Sequence, residues 1–157
     1  GALSLAFSGV EGVGLGLLGI GLPDIPILTA NLLRSVYELA TSYGYDYAKP
    51  EERFYLLMLI EGSMSYGDKL DDCQRRLDEF AERDSTEYTV FSEDEVIKQL
   101  NAAASALADE TLFLKFVQGI PIVGVVGGLS NPVIMSRVRK FALLNYQYRM
   151  LKSLARS

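Results

Sequence analysis

Five stretches of the chain space their apolar residues at helical intervals, and two longer stretches are apolar without any period. Leu28, Leu32, Val36, Leu39 and Tyr43 recur every three or four residues, and Gly44 follows as a stop. This predicts a first helix from about Pro26 to Tyr43. Pro50 opens the second, with Glu51 and Glu52 at its positive dipole end. Phe54 and residues 56–60 then leave that helix apolar on every side, which places it in the middle of a core. A third helix, about Gly67 to Asp84, carries Leu70, Cys73, Leu77 and Phe80 in a narrow stripe and is otherwise charged, as expected of a surface helix.

Ser92 and Glu95 form a capping-box pattern, each able to satisfy the other's backbone N–H. The fourth helix runs from there to about Val117, with Val96, Leu100, Ala103, Leu107 and Leu114 on one face. The fifth starts at Asn131 and Pro132 and continues to the C-terminus. Strand signals are few, so the class is all-α. The expected architecture is one compact helical bundle over residues 1–157.

The two aperiodic stretches are rich in Gly and Pro. Gly9, Gly12, Gly14, Gly16, Gly19 and Gly21 fall in the first, and Gly119, Gly124, Gly127 and Gly128 in the second. Glycine in an apolar run lets backbones approach closely, so the two are expected to pack together. Residues 116–136 form an uncharged run of 21, long enough by count to cross a bilayer. Pro121, Pro132, Gln118, Asn131 and the glycines argue instead for a buried core segment first and an interfacial or re-entrant hairpin second. No base precedes Arg34, so the positive region of a signal peptide is missing.

Composition excludes several chemistries. The chain of 157 residues holds no histidine and one cysteine. Histidine-dependent nucleophilic catalysis, His-containing metal sites and an intrachain disulfide are therefore out. Gly14, Gly16 and Gly19 match a dinucleotide fingerprint, but no strand–turn–helix surrounds them. Ser63 and Ser65 lack a nucleophile-elbow frame. Cys73 reads as a small core residue. Net charge is −5, which argues against nucleic acid as a partner. The expectation is a non-enzymatic chain with no metal and no cofactor.

Charge is nevertheless uneven. Residues 68–95 hold eleven acids and four bases, whereas residues 137–157 hold six bases and no acid. Arg149, Lys152 and Arg156 share one side of the last helix, with Leu143, Leu144, Leu151 and Leu154 roughly opposite. Those three bases are a candidate patch facing anionic lipid. Cations near a helix C-terminus explain the same pattern without a ligand. Arg34 and Glu38 stand four apart, as in a helical salt bridge.

The stretch of residues 21–28 with Pro23, Asp24 and Pro26 runs into Arg34, Tyr37 and Glu38 and then Gly44. With Pro50 and Glu51 opening a helix, this resembles the EcsC family of bacterial proteins. The second apolar stretch, with Gly119, Pro121, Gly124 and Gly128, resembles that family's second signature. The resemblance covers most of the chain and implies that part of the family domain lies before residue 1. The family is named for a protein encoded beside an ABC transporter linked to secretion and regulated proteolysis. It supplies no catalytic residues. The implied function is a membrane-associated module at the inner face of the cytoplasmic membrane, contacting anionic lipid or a transporter. The alternative is a soluble helical binder of a small apolar ligand, held between the apolar stretches and the helix at residues 50–66.

Overall fold

The computed structural model describes residues 25–83, 91–117 and 131–157, with side chains for residues 31–83, 91–110 and 132–157. Both Gly-rich apolar stretches, and the expectation that they pack together, lie outside the described residues. The described residues form five helices and no strand: α1 Ile25–Ser42, α2 Pro50–Ser63, α3 Gly67–Glu82, α4 Glu93–Val117 and α5 Asn131–Arg156. The fold is all-α, and each helix sits where its pattern placed it, to within three residues at the ends.

Local chemistry sets the boundaries. Gly44 adopts φ +83°, and the Tyr45 N–H reaches back 3.0 Å to the Ala40 carbonyl, closing α1 with a left-handed glycine cap. Asp46 Oδ1 accepts from the Ala48 N–H at 2.9 Å and shapes the turn into α2. The capping box at α4 forms in both directions. Ser92 Oγ accepts from the Glu95 N–H at 3.2 Å, and Glu95 Oε2 accepts from the Ser92 N–H at 2.8 Å.

α2 is the central element. It packs against α3, α4 and α5, while α1 and α3 also pack on α5. Every residue from Tyr55 to Ser65 is buried, as a helix without a polar face requires. Around it lie Leu32 and Val36 of α1, Leu77 and Phe80 of α3, Leu100 and Leu107 of α4, and Ile134 and Val138 of α5. A Cβ on Gly62 would stand 3.0 Å from the Phe141 ring and 3.4 Å from the Cys73 Cβ, so a hydrogen there is what lets α2, α3 and α5 meet. Ser63 and Ser65 donate to the carbonyls of Ile60 and Glu61 at 2.7 and 2.6 Å. They close the C-terminal carbonyls of α2 inside the core.

Candidate functional site

The bases of α5 do not form one outward patch. Arg149, placed by the sequence on a lipid-facing side, turns into the core. Its guanidinium donates to Glu52 Oε1 at 2.5 Å and Oε2 at 2.7 Å. The two side chains are only 12% and 9% exposed. The guanidinium also lies 3.9 Å from the centre of the Tyr45 ring, 4.5 Å from Tyr55 and 5.0 Å from Phe80. Burial works against its charge, but the bonds to Glu52 outweigh that, and the Arg149 pKa stands above its ordinary value. Tyr55 and Tyr146 complete the box with rings 5.4 Å apart. Burial raises the pKa of both phenols. Among the described residues neither hydroxyl has a hydrogen-bond partner.

The neighbours of Arg149 follow the same direction more loosely. Lys152 stands 3.7 Å from Glu82 of α3, and Arg156 donates to the Ala81 carbonyl at 3.0 Å. Nearer the start of α5, Arg137 is bonded to Glu110 of α4 at 2.6 Å and to the Tyr66 hydroxyl at 2.7 Å. Asn145 accepts from Gln74 of α3 at 2.8 Å. The side of α5 that carries Arg149 and Asn145 is therefore its packing side, interleaved with Ile134, Val138, Ala142 and Tyr146, which are all buried.

The leucines consequently face outward. Leu144, Leu151 and Leu154 are 56%, 62% and 60% exposed, and Val133 is 50% exposed. Tyr148 and Met150 are also exposed. Of the eight large hydrophobic side chains exposed among the described residues, these six belong to α5. Scattered surface apolar residues are ordinary, but their collection on one helix marks an interaction face. The helical repeat puts Val133, Leu144, Tyr148 and Leu151 within one narrow arc, with Leu154 at its edge.

The positions that carry the family resemblance do not meet in one place. Arg34 and Glu38 form the expected i, i+4 pair at 3.3 Å, on the surface. With Tyr37, Thr41 and Tyr47 they line a groove of about 320 Å³. The Tyr37 and Tyr47 rings stack there at 4.3 Å. Gly44 serves the cap of α1, and Pro50 and Glu51 open α2. Pro26 lies in the first turn of α1. Pro23, Asp24, Gly119, Pro121, Gly124 and Gly128 lie outside the described residues.

A second, larger cleft of about 550 Å³ is lined by Met64, Tyr66, Lys69, Ala106, Asp109 and Glu110. Glu61 is the other buried carboxylate of α2. Gln99 donates to it at 2.6 Å and the Cys73 thiol at 3.5 Å, while Arg76 bonds the far side of Gln99 at 3.1 Å. Burial and the neighbouring Glu61 push the Cys73 thiol up to about 11, which leaves it protonated and unreactive at neutral pH. Among the described residues no group of three or more acidic or cysteine side chains is arranged to hold a metal ion. No described helix is long and apolar enough to cross a membrane.

Sequence reasoning missed Glu52, read as an exposed helix-start acid, and it faced α5 the wrong way. One signal was available: Ile134, Val138, Ala142 and Tyr146 recur every fourth residue and form a second apolar stripe beside Arg149.

This all-α chain belongs to the EcsC protein family, whose family model matches residues 2–151. It is 26% identical over 149 residues to Protein EcsC of Bacillus subtilis (strain 168), an alignment covering 92% of this chain and 58% of that protein. The chain thus spans a little over half the length of that curated relative. No solved structure matches it.

Proposed function

We propose that this chain is a docking module, not an enzyme, and that it works peripherally at the inner face of the cytoplasmic membrane. There it meets lipid or a membrane transporter through the outward face of α5. The observation that carries this reading is the apolar ridge of Leu144, Tyr148, Leu151 and Leu154 on a helix without a single acid. A face of that kind is costly to leave in water, and it suits an interfacial surface. The family resemblance supports the same setting, since the family takes its name from a protein encoded beside a transporter.

Co-sedimentation with vesicles made from Bacillus subtilis membranes tests the reading. The chain is expected in the membrane pellet, and a variant with Leu144, Leu151 and Leu154 changed to Ser is expected to stay in the supernatant. A parent chain that never pellets would sink the proposal.

A further inference from the structure

Resting on that reading, we infer that the outward face of α5 docks on an anionic lipid bilayer, lying in the plane of the surface. The argument begins with shape. The ridge is one face of a helix, and the rise from Val133 to Leu154 makes it about 32 Å long. Leu144, Leu151 and Leu154 are each more than half exposed along it. A flat apolar sink accommodates such a ridge along its whole length.

Charge then selects the kind of surface. α5 carries no acid. Lys140 is exposed within the arc of the ridge, and the helical repeat places Lys152 just beyond Tyr148. An exposed lysine within an apolar stripe can reach phosphate while the leucines enter the acyl boundary. Lys152 already stands over the Tyr148 ring, with its ammonium 5.5 Å from the centre, so an aromatic and a cation share the interfacial level. The acids stand on other helices, Glu82 of α3 among them at 3.7 Å from Lys152. α3 exposes Asp68, Asp71, Asp72, Glu79 and Glu82. A chain that is acidic as a whole thus carries its apolar ridge on a helix whose charged side chains are all basic.

The inward bonds of Arg149 set which face of α5 turns outward. The pair with Glu52 and the box of Tyr45, Tyr55 and Phe80 fix the rotation of α5 about its axis, so the leucines cannot turn in. The face is presented before any lipid arrives, and docking needs no refolding of the helix.

Flotation with protein-free vesicles tests this. One set is pure phosphatidylcholine; the other contains a third phosphatidylglycerol. The chain is expected to float with the anionic set and to stay down with the neutral set. The variant with Leu144, Leu151 and Leu154 changed to Ser should lose about tenfold or more in partitioning, and Lys140→Gln a few-fold. Circular dichroism of both variants should match the parent, since these side chains are exposed. Equal flotation with neutral vesicles would overturn the anionic preference, and an unaffected leucine variant would overturn the face. Binding to native membrane vesicles without binding to protein-free anionic ones would mean a protein partner. That result ends this inference and leaves the docking reading standing. Binding to neither ends both.

Discussion

Arg149 of α5 and Glu52 of α2, 97 positions apart, meet through two hydrogen bonds of 2.5 and 2.7 Å inside a box of aromatic rings. The pair does two things. It neutralises a charge that would otherwise be buried alone, and it fixes which side of the last helix faces the core. Its energetic signature should be asymmetric. Removing one partner strands the other in a poorly solvated site, whereas replacing both is far gentler. Arg149→Gln and Glu52→Gln should each lower unfolding free energy by about 3–5 kcal/mol, and the double variant by clearly less than the two combined. Urea denaturation of the four proteins reads this directly.

The same charge change one turn further along should do little. Lys152 and Glu82 are 41% and 59% exposed and 3.7 Å apart. Such pairs contribute less than about 1 kcal/mol. Lys152→Gln should therefore leave the urea midpoint almost unchanged. If Arg149→Gln and Lys152→Gln behaved alike, the inward placement of Arg149 would be wrong.

The two faces of α5 make a second contrast. Ile134 is fully buried, whereas Leu151 is 62% exposed. Ile134→Ala should cost about 2–5 kcal/mol. Leu151→Ser should stay within about 0.5 kcal/mol of the parent, as exposed positions do. Thermal melts of the two variants suffice. A pattern that reads Leu as inward and Arg as outward predicts the reverse order.

Alkaline pH should weaken the fold. Cys73, Tyr55 and Tyr146 are buried as neutral groups, and burial raises each pKa. In the unfolded chain the thiol ionises near 9.0 and the phenols near 10.0, while the folded thiol holds its proton to about 11. The stability these groups lend is fully present below the unfolded values and is lost as pH rises through the folded ones. Urea midpoints should be flat from pH 7 to about 8.5 and should fall steadily above pH 9. Thiol labelling with a disulfide reagent at pH 8 should be slow in buffer and fast in urea. Prompt labelling of the folded chain would contradict the burial of Cys73.

Gly44 provides a local test. Its φ of +83° suits glycine, and nothing lies within 4 Å of where a Cβ would stand. Gly44→Ala should therefore cost only the backbone strain, about 1 kcal/mol. Gly62→Ala is different in kind, because its added methyl would press on the Phe141 ring.

The helices were legible in the sequence because their signals are local. Pro50, the box of Ser92 and Glu95, the stop at Gly44 and the apolar spacing of α1 each act within a turn or two. The all-round apolar run of α2 likewise announced its central place, since such a helix has no side to give to water. The pair of Arg34 and Glu38 is one helical turn long and followed from spacing alone. What the sequence could not decide was the rotation of α5. That helix carries two apolar stripes, one of Ile134, Val138, Ala142 and Tyr146 and one of Leu144, Leu151 and Leu154. Local spacing ranks them almost equally, and hydrophobicity favours the leucines. The tertiary structure chose the other stripe, because α2 supplies Glu52 and Tyr55, and the adjoining α3 supplies Phe80, at the place where Arg149 can bury its charge against a carboxylate through two hydrogen bonds. That choice turns on partners far apart in the chain, and it is what leaves the leucines outside.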